Sequence, residues 1–159
     1  MQPFRVAIAG LGTVGAETAR ILLTDAEMLS ARAGRPIELV AVSARDKSRD
    51  RGINLAGIDW LDDTVALAAR PDVDCVLELI GGSDGVAYDL VLGAIKSGKS
   101  VVTANKALIA HHGSEIAKLC EENDVGLGFE AAVAGGIPII KSLREGLAGN
   151  HIKRVYGIL

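Results

Sequence analysis

Aromatic side chains are scarce in this sequence: Phe, Tyr and Trp together make up 3% of its 159 residues, although 49% are hydrophobic. A core with so few rings must be built from Val, Ile, Leu and Ala, a composition that suits a parallel sheet buried on both faces. An excess of one charge is also missing. The sequence sets 17 Lys and Arg against 20 Asp and Glu, a formal net charge of −3, so no strong field invites nucleic acid or an anionic membrane. No apolar run approaches the ~20 residues of a membrane-spanning helix. The first apolar run is short and ends in glycine, unlike a secretory signal. Only two cysteines occur, Cys75 and Cys120, in apolar surroundings and without a C-x-x-C or metal-ligand spacing. They read as reduced core residues of a cytoplasmic protein. The length fits one domain with at most the beginning of a second, and soluble small-molecule chemistry is the expectation that remains.

Short apolar runs alternate with helical patterns along the chain. "FRVAIAG" (4–10), "IELVAVSA" (37–44), "DCVLELIG" (74–81), "SVVTAN" (100–105) and "GLGFEAAV" (126–133) are rich in Val, Ile or Leu and bounded by polar or glycine residues, which predicts buried strands. Val14, Thr18, Ile21 and Leu22 share one helical face, and Ile109, Ile116, Leu119 and Cys120 suggest another. Gly113 is expected to interrupt that later helix, with Ser114 capping its second half. Strands alternating with helices predict right-handed crossovers and a doubly wound α/β fold, its parallel sheet covered on both sides.

Ligands of such a sheet bind where loops leave the carboxyl ends of the strands, and the first such loop is "GLGTVG". Gly10 permits the tight turn, Gly12 leaves room for a pyrophosphate, and Gly15 lets the following helix lie close to the sheet. Amides near Thr13 and Val14 then face the phosphates at a helix start. The pattern follows the first strand and opens a helix, which favours a dinucleotide over an adenosine-containing methyl donor or a turn that merely joins two elements. The second strand ends "AVSARDKSR". An acid there accepts from the ribose 2′-hydroxyl of NAD, whereas an arginine matches the 2′-phosphate of NADP. Arg45 can engage phosphate bidentately, and Asp46 comes one or two positions late for the ribose, so NADP is favoured with NAD still open.

Two longer stretches carry the reading further. "VDCVLELIGGSDGVAYDLVLGAIKSGKSVVTANKALIA" (73–110) and "FEAAVAGGIPIIKSLREGLAGNHIKRVYGIL" (129–159), with the opening turn, closely resemble homoserine dehydrogenase. "ELIGG", "VVTANKALIA" and "EAAVAGGIPII" are the most specific pieces, and residues 24–72 the least family-like. The resemblance implies a Rossmann-type domain over 1–134 and, over 135–159, a connecting helix and first strand of a substrate domain. It implies reversible interconversion of L-aspartate 4-semialdehyde and L-homoserine with NAD(P)H, on the route to threonine and methionine. It also implies a homo-oligomer at full length and proton-transferring groups beyond Leu159, where an asparagine-rich turn is expected to follow.

By the same resemblance Lys106 lies beside the nicotinamide and substrate; read without it, Lys106 is a first-turn surface lysine. Thr103 and Asn105 are expected to line that edge. Gly81 and Gly82 either bring backbone close to the cofactor or simply form a turn. In the similar enzymes a sodium ion is held by oxygens that transfer to Glu130, Val133, Gly135 and Ile137, a donor set suited to a hard cation. The same glycines could instead cap a helix that begins at Pro138 and ends at Gly149. His111, His112 and His151 form no convincing ligand set. Another NAD(P)-dependent semialdehyde oxidoreductase and a non-catalytic nucleotide sensor are the alternative readings; a sensor would have no use for Lys106 in the cleft.

Overall fold

The computed structural model describes residues 1–157. Strand β1 (Phe4–Ala9) passes through the glycine turn into α1 (Thr13–Thr24) and α2 (Ala26–Ala33), and then to β2 (Ile37–Ser43) and β3 (Asp59–Trp60). A 3-10 turn at Val65–Ala69 leads to β4 (Cys75–Glu78), α3 (Val86–Lys96), β5 (Ser100–Thr103), α4 (Lys106–Glu122) and β6 (Leu127–Gly128). The six strands form one sheet in the order β3-β2-β1-β4-β5-β6, parallel throughout. This is the doubly wound Rossmann-type order that the alternation predicts.

Alternate residues of the central strands feed two cores. Ala7, Ala9, Val76 and Val101 meet Leu90, Ile95, Leu108 and Ile116 from α3 and α4. Val6, Ile8, Leu39 and Cys75 meet Ala19 of α1 on the other face. Burial on this scale stabilises by roughly 1.5–3 kcal/mol for each large aliphatic side chain. Cys75 and Cys120 are free and buried, as expected, and burial pushes the Cys75 thiol up to about 12. No helix among the described residues is long and apolar enough to cross a membrane.

Several expectations fail locally. The sheet face of α1 is formed by Gly15 and Ala19, with Leu22 against them, while Val14 is 57% exposed. The helix approaches so closely that only small residues fit beneath it, so a face chosen by its largest side chains is rotated away. The sheet is not covered everywhere either: Val102 is 40% exposed on the face opposite α3 and α4. β3 was not anticipated, because two residues are too few for any periodicity. The fifth apolar run gives only Leu127–Gly128 before a 3-10 turn at Glu130–Ala132.

The helix expected from Pro138 to Gly149 is shorter, with α5 (Ile139–Lys141) continuing as a π turn through Ser142–Gly146. The strand expected in "HIKRVYGIL" is absent over 151–157, which pairs with no strand of the sheet; Ile158 and Leu159 lie outside the described residues.

Gly113 does not break α4, which runs on to Glu122. Leu108, Ile116 and Cys120 are buried along its inner face, and that packing outweighs the ~1 kcal/mol disadvantage of an interior glycine. A Cβ at Gly113 would lie 3.4 Å from the Ile109 side chain, a close contact that a small rotation relieves. Gly113→Ala should therefore stabilise the fold by about 0.5–1 kcal/mol, read as a higher midpoint in urea.

Candidate functional site

The strand order reverses at β1, so the loops after β1 and β4 diverge and leave a crevice at the carboxyl edge. A cleft of about 500 Å³ opens there, lined by Gly10, Gly12, Arg45, Arg49, Arg51 and Val86 among others. Gly10 has a φ of +97°, and a Cβ on it would stand 2.5 Å from the Leu79 carbonyl oxygen. Its N–H donates to the Ser43 carbonyl at 2.8 Å, while the Leu79 N–H donates to Ala9 at 2.8 Å. The turn is thereby stitched to both neighbouring strands. Gly15 is still tighter, since a Cβ there would fall 1.8 Å from the Gly10 carbonyl oxygen. Around Gly12 there is open space to 4 Å, and this residue caps α1 without a side chain. The first α1 ladder bond runs from the Ala16 N–H to Gly12, so the amides of Thr13, Val14 and Gly15 precede the ladder. Such an end suits an anion.

At the end of β2 the buried residue is Ser43, whose hydroxyl meets that of Thr64 at 2.7 Å. Arg45 is exposed and makes no side-chain hydrogen bond or ion pair among the described residues. Asp46 is turned on its own loop: one carboxylate oxygen accepts from the Ser48 amide at 2.9 Å and from its hydroxyl at 2.7 Å. These bonds hold its carboxyl below the usual range. Arg51, which no motif singles out, donates to the carbonyls of Leu11, Arg49 and Asp46 at 3.0, 2.7 and 2.6 Å.

A second unanticipated residue organises the far wall. Glu78 ends β4 with no exposure at all and no cation beside it. One carboxylate oxygen accepts from the amides of Ile80 and Gly81 at 2.8 and 3.2 Å, and the other from the Thr103 hydroxyl at 2.6 Å. Asn105 adds a long contact from Nδ2 at 3.5 Å. The same amide nitrogen donates to Gly82 at 2.6 Å, and Asn105 Oδ1 accepts from Leu108 at the head of α4. Thr103 and Asn105 are therefore buried joints between two loops at the carboxyl edge. Gly81 and Gly82 both have positive φ, +90° and +89°, with open space around them.

Lys106 opens α4 at the carboxyl end of β5, exposed and without a charged partner among the described residues. Glu130, Val133, Gly135 and Ile137 lie on an irregular segment in which Ala134 and Gly136 have positive φ. There the Glu130 carbonyl accepts from Val133 at 3.3 Å and the Ile137 carbonyl from Ile139 at 2.7 Å. His112 sits against Asp84 at 3.1 Å and Glu115 at 3.8 Å, its ring on Tyr88. No group of three His, Cys, Asp or Glu among the described residues could hold a metal ion.

Residues 10–130 match the family model described as the NAD-binding domain of homoserine dehydrogenase. The chain belongs to that family. It is 48% identical over its whole length to homoserine dehydrogenase of Neisseria gonorrhoeae and 49% identical to that of Pseudomonas aeruginosa, covering 36% of each. A crystal structure of a homoserine dehydrogenase from Thiobacillus denitrificans superposes with a TM-score of 0.85 at 45% identity, over 94% of this chain and 34% of that one. The chain thus spans about a third of the length of these relatives.

As a homoserine dehydrogenase NAD-binding domain, the chain places Gly10, Gly12 and Arg45 around one cleft, with Thr13 and Val14 following at the start of α1. Glu78 carried a faint signal, an acid inside the apolar run "DCVLELIG". Arg51 carried none, because the fold of a polar loop cannot be read from its composition. Removing the Glu78 carboxylate takes the acceptor from the Ile80 and Gly81 amides and from the buried Thr103 hydroxyl, while Asn105 Nδ2 keeps Gly82. Glu78→Ala is expected to cost about 2–4 kcal/mol, and Thr103→Val roughly 1 kcal/mol, both read from urea unfolding.

Proposed function

We propose that the chain is the cofactor-binding part of an NADP-preferring homoserine dehydrogenase. The observation that carries this reading is the exposed Arg45 beside a β2 end that offers Ser43 where an NAD-selective domain would offer an acid. Asp46 is less well placed for that role, since one of its carboxylate oxygens is already engaged by Ser48. Amides of Thr13 and Val14 would take the pyrophosphate, Gly12 giving it room to approach, and Arg45 would take the 2′-phosphate. Gly81 and Gly82 would bring bare backbone to the nicotinamide end.

The nicotinamide supplies hydride chemistry; this chain's residues hold and orient it. Lys106 would stand at the substrate side of the cleft and favour the oxygen that becomes anionic as the aldehyde of L-aspartate 4-semialdehyde is reduced to L-homoserine. Residues 135–159 would lead into a substrate domain that places the aldehyde and moves its proton. By donor chemistry alone, oxygens of Glu130, Val133, Gly135 and Ile137 would suit a sodium ion. In this reading the protein is cytoplasmic, serves threonine and methionine synthesis, and is a homo-oligomer.

Fluorescence titration of NADPH and NADH tests the cofactor assignment. Arg45→Ala should weaken NADPH by about 1.5–3 kcal/mol through loss of a charge-assisted contact and leave NADH nearly unchanged. Equal weakening of both would overturn the role of Arg45. The isolated chain should bind NADPH without homoserine-dependent turnover, because positioning and proton transfer carry many orders of magnitude of rate.

A further inference from the structure

The loop between β2 and β3 packs Ala44, Ile53, Leu55 and Ile58 against the second core, but its polar ties to the rest of the molecule are few. The hydrogen bonds of its polar side chains are mostly local: Asp46 to Ser48, Asp50 to Gly52 and Asn54 to Ala56. Arg51 is the exception. Its Nε donates to Leu11, within the glycine turn, while Nη1 and Nη2 donate to Arg49 and Asp46 within the loop. No other side-chain hydrogen bond among the described residues joins residues 10–15 to residues 44–58. The guanidinium also lies 5.4 Å from the centre of the Trp60 ring, which Lys47 approaches at 5.9 Å.

We propose that Arg51 is a positioning residue whose guanidinium locks the β2–β3 loop onto the glycine turn and holds Arg45 and Arg49 over the phosphate end of the cleft. The proposal rests on the dinucleotide-binding reading above. Three of the five N–H groups of Arg51 are engaged by backbone carbonyls before any ligand arrives. The glycine turn is already held by its neighbouring strands, so tying residues 46–51 to it at Leu11 fixes the polar half of the loop beforehand and lowers the entropic penalty of association. Lysine cannot substitute, because an ammonium on a flexible stem does not present a rigid planar fork to three separate carbonyls.

A lock and a direct phosphate ligand make different predictions. The loop after β2 borders the cleft where the adenosine ribose common to both cofactors would lie, so releasing it should weaken NADH as well as NADPH. Arg51→Ala and Arg51→Lys should each raise the Kd for both cofactors by roughly tenfold, with thermal unfolding by circular dichroism showing that the variants remain folded. An unchanged NADH affinity, or full recovery in Arg51→Lys, would overturn the proposal and leave Arg51 a ligand of the 2′-phosphate at most.

Cofactor-free protein supplies an independent readout, since Trp60 is the only tryptophan. Both variants should shift its emission and speed tryptic cleavage after Arg45, Lys47 and Arg49. Unaltered emission and cleavage would refute the lock. Should the unmutated chain bind neither NADPH nor NADH, the dinucleotide reading itself fails, and these cofactor-free measurements alone decide whether Arg51 fixes the loop.

Discussion

One fully buried carboxylate sets the shape of the carboxyl edge. Glu78 makes no ion pair among the described residues, so the cost of burying its carboxyl group is offset by the donors around it: two backbone amides, a threonine hydroxyl and, at longer range, a side-chain amide. The donors come from different places. Ile80 and Gly81 begin the loop after β4, whereas Thr103 and Asn105 end β5 and start α4. Desolvation makes any departure costly, so both loops must take the conformations that bring these groups in. Gly82 follows, held by Asn105. The geometry of the cleft's far wall is thus a consequence of satisfying one buried carboxyl group.

The near wall is governed by contact distance instead. Gly10 and Gly15 are forced by backbone atoms closer than any side chain allows, and the resulting descent of α1 onto the sheet exposes the unladdered amides of its first turn. Gly12 differs from both, since nothing in the chain crowds it. Two glycines are required by the fold, whereas the third faces open space. That distinction is invisible in the spacing G-x-G-x-x-G and appears only when neighbouring atoms are placed.

Much of the fold was legible because it depends on hydrophobic periodicity: the five apolar runs became β1, β2, β4, β5 and β6, and their alternation with helices dictated a parallel sheet. What failed did so for identifiable reasons. Val14 was assigned to the buried face of α1 by size, but a helix lying this near the sheet selects Gly15 and Ala19. Gly113 signalled a break that the buried side of α4 overrides. The glycine turn and Arg45 could be found from position alone. Glu78 and Arg51 could not, because their partners are backbone groups contributed by distant segments, and a backbone amide or carbonyl leaves no mark in a sequence.

Lys106 poses the opposite problem, a residue the fold does not need. It begins α4, where the macrodipole is positive, and no acidic residue shares the first turn to offset its charge. Asn105 already caps the helix through Leu108. By the electrostatics of the helix alone, an acid or a neutral residue would be preferred at this position. The side chain buries nothing and pairs with nothing among the described residues, so no packing gain compensates. The joint that fixes its backbone is nevertheless among the most constrained in the molecule, running from Glu78 through Thr103 and Asn105 to the first turn of α4. In the proposed reading, a cation set against the local field at the end of this chain of hydrogen bonds would meet a negative charge that arrives from outside. Helix dipole and ammonium would then act on that charge together.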